Sequence, residues 1–147
     1  MDYYVKTNYK HSEITGQIIG CAMRVHSEPG PGFPEIIYHR ALEIEFQEQN
    51  ISYDSEREIE VYYHNKLIGK RRPDFLVEKK VMVEIKAIKK LEDSDISQSL
   101  NYLKAYNLDI GLLINFGSKS LEYKRLIRND NAKEKSKKSF EPDKISN

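Results

Sequence analysis

The run Val81-Met82-Val83-Glu84-Ile85-Lys86-Ala87 constrains the fold more than any other stretch of the chain. Apolar and rich in β-branched residues, it reads as a buried central strand. Yet it carries Glu84 and Lys86, two residues apart, and on a strand such residues share one face. Upstream, Leu67 to Val77 reads as a second strand, irregular at Gly69 and Pro73, and Glu78-Lys79-Lys80 as a polar tip. With a three-residue tip, Val77 faces Val81, Phe75 faces Val83 and Asp74 faces Glu84, with Cβ atoms about 5 Å apart. A two-residue tip would shift the pairing by one residue and send Asp74 to the other face.

Two carboxylates opposed in a partly buried setting repel unless a positive charge lies between them. A hard divalent cation such as Mg²⁺ answers that need, taking oxygen ligands from one or two carboxylates plus water and phosphate. Lys86 adds, on the same face, a point charge able to polarise a water or hold a phosphate.

The remaining pattern supplies helices and further strands. Ser12 is placed to cap a helix with a stripe of Ile14, Ile18, Cys21, Ala22 and Val25, stopped by Glu28-Pro29-Gly30-Pro31-Gly32. Pro34 suits the first position of a second helix running to about Gln49, with Ile37, Tyr38, Ala41, Leu42 and Phe46 inside and Asn50 as a left-handed stop. Glu58 to Tyr63 alternates as a strand, turning at His64-Asn65. Asp93 or Ser94 caps a third helix with Ile96, Leu100 and Leu103 as its core stripe; Asp109 to Phe116 is another buried strand, and Leu121 to Arg128 an edge strand. The expected fold is α/β, a mixed central β-sheet flanked by helices. Residues 1–128 form one domain, and residues 129–147 a polar, Lys- and Ser-rich C-terminal tail expected to be disordered.

Composition narrows the setting. At 147 residues with a formal net charge of +1, the chain holds a real core and exerts no global pull on nucleic acid or acidic lipid. It has no apolar run of spanning length and no signal peptide pattern, so no membrane partner is expected. The single cysteine, Cys21, excludes an internal disulfide and points to a reducing, cytoplasmic compartment.

Pro73-Asp74, nine residues, then Glu84-Ile85-Lys86 resembles the PD-(D/E)XK nuclease signature. Gly32-Phe33-Pro34-Glu35-Ile36-Ile37-Tyr38 resembles the G-x-x-E-x-x-Y element that names a small prokaryotic family within that superfamily, and Gly111 to Gly117 resembles its late buried strand. The resemblance implies a restriction-endonuclease-like core and a Mg²⁺- or Mn²⁺-dependent nuclease hydrolysing phosphodiester bonds. Asp74 and Glu84 would be metal ligands, Glu35 would join the metal shell from the second helix, and Lys86 would orient or activate the attacking water. Gln98 and Tyr102, on one face of the third helix, resemble the Q-x-x-x-Y element of RecB-like nuclease domains, which lies near the metal and the nucleic acid. Arg71, Arg72 and Lys89 add local basicity suited to phosphate contact, with DNA the expected partner. A domain this small would draw sequence choice from a homodimer or a protein partner.

Other readings stay open beside these. Glu84 and Lys86 also fit a structural ion pair on a solvated sheet face, Glu35 an acid favoured by the helix dipole, and Gln98 with Tyr102 a satisfied polar pair. His26, His39 and His64 read most simply as surface or helix-end residues without a zinc role, and Tyr62 and Tyr63 as packing residues. A nuclease-fold module that binds nucleic acid or a protein without cutting is the alternative function. An assembly protein with a remnant acidic site is a third.

Overall fold

The computed structural model describes residues 9–128. The expected tail from 129 onward lies outside the described residues. Among the described residues three helices and seven strands follow one another: α1 (Ser12–Ser27), α2 (Glu35–Glu48), β1 (Tyr53–Asp54), β2 (Ile59–Tyr63), β3 (Lys66–Arg71), β4 (Phe75–Val77), β5 (Val81–Lys86), α3 (Asp93–Ala105), β6 (Ile110–Asn115) and β7 (Glu122–Ile127). Five strands form the central sheet in the order β1-β4-β5-β6-β7. The β5–β6 pair is parallel and the other pairs are antiparallel, so the sheet is mixed, as its residue pattern predicts.

The three-residue tip sets the register as expected: Phe75 pairs with Val83 and Val77 with Val81. Glu78 and Lys79 take positive φ, the conformation that lets so short a connection turn the chain. Side-chain alternation along β5 then divides the core. Val81, Val83 and Ile85 pack with α1 and α2 through Ile18, Val25, Tyr38, Leu42 and Phe46. Met82, on the opposite face, packs with Leu103, Tyr106, Leu113 and Leu126 beneath α3. Glu84 and Lys86 belong by alternation to this second face, one and two pleats beyond Met82.

Several boundaries differ from the sequence reading. The expected long strand Leu67 to Val77 is broken at Arg72-Pro73. Its first part pairs with β2 in a separate two-stranded ribbon, and its second part joins the central sheet. Proline cannot donate to a ladder, and Pro73 marks the step between the two sheets. The ribbon's register slips between Val61 and Tyr62, a bulge opposite Gly69 and Leu67. Strand β1, too short for a periodic signal, was not expected.

The caps also shift by one residue. His11, in a left-handed conformation, precedes α1, and Ser12 serves as its first residue, its carbonyl accepting the Thr15 hydroxyl. Pro34 is the N-cap of α2 rather than its first residue. Glu92, not Asp93 or Ser94, caps α3 through a reciprocal capping box with Asp95. The inner stripe of α3 is rotated as well: Ser99 and Leu103 are buried, whereas Leu100 is exposed. That rotation turns the polar side of α3, with Gln98, Ser99 and Tyr102, toward Glu84 and Lys86.

Candidate active site

Asp74 stands one residue before β4, and the ladder extended by one step sets it opposite Glu84. Its side chain replaces the missing strand backbone: Asp74 Oδ2 accepts the Ile85 amide at 2.9 Å. Asp74, Glu84 and Lys86 thereby line one concave cavity of about 140 Å³, together with Glu35, Arg71, Arg72, Gln98 and Tyr102. That volume is below the roughly 300 Å³ at which pockets for drug-sized ligands begin, and suits an ion with its waters beside an extended chain.

Glu84 is the most constrained of these groups. Only 6% exposed, it has one carboxylate oxygen, Oε2, without a hydrogen-bond partner, while Oε1 lies 3.7 Å from an Arg71 terminal nitrogen. Burial, reinforced by the neighbouring Asp74 carboxylate, pushes its carboxyl up to about 8, against weaker opposing pulls from Arg71 and Lys86. The Arg71 guanidinium lies 4.1 Å from the Tyr102 ring centroid, a cation–π contact, and its Nε is also buried without a partner. The Tyr106 hydroxyl is unpartnered too, and burial, then Glu84, raises its pKa.

The cavity rim is built from three further elements. Glu35 begins α2 at the rim, its carboxyl raised by partial burial and then by Asp74, with Lys86, His39 and Arg71 opposing. Tyr38 explains why α2 starts there: its hydroxyl donates to the Gly30 carbonyl at 2.5 Å and accepts the Phe33 amide at 3.1 Å, tying the Gly-Pro loop to the helix. Gly30 and Gly32 occupy positive φ in that loop. Lys86 Nζ is 3.7 Å from Asp95 Oδ1 at the start of α3. Behind it, the loop after β5 is clamped to β6. Buried Asn115 accepts the Ile88 amide and donates to the Ile88 carbonyl, both at 2.9 Å, and the Phe116 amide donates to the Lys86 carbonyl.

Most of the residues singled out from sequence therefore meet here. Arg72 reaches the wall and also pairs with Glu56 at 3.4 Å. Lys89 does not line the cavity; it is exposed on the loop following β5. Among the described residues no three His, Cys, Asp or Glu side chains stand close enough together to hold a metal ion. Glu35 thus reaches the rim without completing a three-carboxylate ligand set. The opposed pair Asp74 and Glu84, with an unpartnered buried oxygen, still fits a hard divalent cation, because Mg²⁺ is commonly held by one or two carboxylates with water filling the remaining positions.

Two residues near the centre escaped the sequence reading. His39 is not a plain surface residue: it stacks on Phe75 with centroids 4.3 Å apart, and its Nδ1 lies 3.4 Å from Asp74 Oδ1. Its place one turn after Glu35 on α2 is the only local signal that would have found it. Tyr106, the buried C-cap residue of α3, whose hydroxyl feels the Glu84 charge, was not singled out from sequence at all. Tyr62 and Tyr63, expected to be packing residues, are 42% and 62% exposed on the ribbon.

Comparison with known proteins agrees with this geometry at the level of fold. The crystal structure of SSO0001 superposes with a TM-score of 0.51 at 18% sequence identity, covering 88% of this chain. The chain spans 59% of the length of that structure. No curated protein gives a significant match. The family model of the PD-(D/E)XK nuclease superfamily matches residues 12–126, from the first turn of α1 to the last strand, with Asp74, Glu84 and Lys86 inside the match. An Asp at the head of a short strand, opposed by Glu-x-Lys on the neighbouring strand of a mixed sheet, carries the same signature in three dimensions, and the chain belongs to the PD-(D/E)XK nuclease superfamily.

Proposed function

We propose that this protein is a divalent-cation-dependent nuclease of the G-x-x-E-x-x-Y kind, hydrolysing phosphodiester bonds in nucleic acid, with DNA the favoured substrate. The observation that carries the reading is the meeting of Asp74, Glu84 and Lys86 on one cavity wall, with a buried Glu84 oxygen left unpartnered. Asp74 and Glu84 hold Mg²⁺ or Mn²⁺, and Glu35, on the rim, bonds to the ion's waters rather than to the ion. A bound cation of this type supplies Lewis acidity, polarising a phosphoryl oxygen and making water more acidic.

The remaining roles belong to the chain itself. The Ile85 amide and His39 hold the two oxygens of Asp74, so its carboxylate cannot rotate freely. Lys86 orients the attacking water and faces the phosphate, restrained by Asp95 until substrate arrives. Arg71 and Arg72 offer guanidinium forks to phosphate oxygens, Lys89 a more distant charge, and Gln98 and Tyr102 a polar, aromatic wall for the nucleotide. Tyr38 and Gly32 support the family element structurally, by fixing the loop that presents Glu35. The family match ending at 126 and the last strand ending at Ile127 support a domain limit near residue 128. Among the described residues no helix is long and apolar enough to cross a membrane, and a cytoplasmic site of action fits the free, buried Cys21. A second copy or a protein partner would supply sequence selection.

Single-turnover cleavage of single- and double-stranded DNA and RNA, with Mg²⁺, Mn²⁺ or EDTA, tests the reading. Asp74→Ala loses cation binding and cleavage together. Lys86→Ala keeps the cation but cuts roughly 10²-fold or more slowly, the usual loss for a positioned catalytic group. Equal, metal-independent cleavage by wild type and both variants would defeat the proposal. Binding of nucleic acid without cleavage under any divalent ion would leave the silent binding module instead.

A further inference from the structure

We infer that Arg71 is an internal counter-cation of this site, exchanged for the divalent ion when that ion binds and thereby freed to engage the substrate phosphate. The inference rests on the cation site proposed above and adds an order to its events. Arg71 is not part of the central sheet. It is the last residue of β3 in the two-stranded ribbon, paired across that ribbon with Ile59, which packs against the core beneath α3. From there its guanidinium reaches Glu84 at 3.7 Å while lying over the Tyr102 ring.

That contact is incomplete on both sides. At 3.7 Å the pair is held by charge without a hydrogen bond, and the buried atoms Arg71 Nε and Glu84 Oε2 lack partners. An ion pair with its carboxylate buried, its guanidinium partly exposed and so few hydrogen bonds made is weakly favoured and readily replaced. The other cations at the cavity are differently engaged: Arg72 pairs with Glu56 and Lys86 with Asp95. Glu84 can take either a guanidinium or a divalent ion at close range, because two cations sharing one desolvated carboxylate repel strongly. Arginine cannot lose its charge to relieve that repulsion, so the guanidinium must move. Its planar fork then matches the oxygens of a phosphate held in the same cavity. Cation loading, phosphate capture and release of the ribbon's base become one event.

Mn²⁺ affinity, read by electron paramagnetic resonance at pH 8 without nucleic acid, tests the exchange. Arg71→Met keeps the stem and removes the charge, and should bind Mn²⁺ about tenfold or more tightly than wild type. Tyr102→Leu removes the stacking surface that holds the guanidinium and should also tighten binding, by a smaller factor. Lys70→Met makes the same charge change one residue earlier, on a side chain that faces Glu58, and should shift affinity less than about twofold. Amide exchange across residues 59–71 should quicken in wild type when Mn²⁺ is added. Unchanged or weaker Mn²⁺ binding by Arg71→Met, or an equal gain in Lys70→Met, overturns the exchange. Glu84→Gln separates the layers: if it binds Mn²⁺ as wild type does, the cation site itself is misplaced and both readings fall. If it loses Mn²⁺ while Arg71→Met gains nothing, the site stands and only the exchange is refuted.

Discussion

Replacing Glu84 with glutamine should stabilise the cation-free protein, and the gain should grow with pH. The carboxyl is buried beside Asp74, with an oxygen that no donor satisfies, and it titrates near 8 in the folded protein against an ordinary 4.5. A folded-state pKa raised above the unfolded value means that the native protein keeps a proton the unfolded chain has released. The resulting stability is complete below about pH 4.5 and is lost as pH rises toward 8. Integrated from pH 5 to pH 8, the loss from this one group is about 3 kcal/mol. Glutamine carries no titrating proton and escapes that loss. For a domain of this size the difference corresponds to roughly 6–12 °C in Tm. At pH 5 the variant should gain little, since Glu84 is then protonated and as uncharged as the glutamine that replaces it. Thermal unfolding followed by circular dichroism in EDTA, at one-unit steps from pH 5 to pH 8, gives the comparison; contributions of other groups largely cancel between the two proteins. A difference in Tm that stays flat or shrinks as pH rises would refute the claim that Glu84 is ionised at a cost.

Three further outcomes are expected. Saturating Mn²⁺ at pH 8 should raise the Tm of the wild type by several degrees and leave Glu84→Gln almost unmoved, since a ligand stabilises only the state that binds it. Gly117→Ala should lower the urea midpoint by the equivalent of about 2 kcal/mol or more, because the added Cβ would lie 2.4 Å from the Ile88 carbonyl oxygen and 2.5 Å from its nitrogen, both backbone atoms. Tyr38→Phe removes the hydroxyl that bridges Gly30 and Phe33, and should cost about 1–3 kcal/mol in the same urea titration.

Much of this protein is written in short-range pattern. Ile18, Cys21, Ala22 and Val25 recur at helical spacing, and α1 buries that stripe. Three polar residues between Val77 and Val81 are enough to determine the β4–β5 register, because a hairpin's loop length dictates which residues oppose each other. That register, with the two-residue repeat of a strand, puts Asp74, Glu84 and Lys86 on one face before any tertiary contact is known. What local pattern could not decide was partnership. Residues 67–77 look like one strand, but Lys66–Arg71 and Phe75–Val77 end in different sheets, since strand propensity is the same whichever neighbour supplies the hydrogen bonds. The inner face of α3 was likewise set by what it covers: Ser99 is buried and Leu100 exposed because the helix offers its polar side to the cavity. Arg71 over Tyr102, and His39 beside Asp74, bring together residues 31 and 35 positions apart, and no periodicity within one segment encodes such contacts. The sequence by itself determined most of the secondary elements and the chemistry of the central strand, both properties of neighbouring residues. The tertiary structure alone decided which distant groups surround that chemistry, because their approach depends on the packing of whole elements.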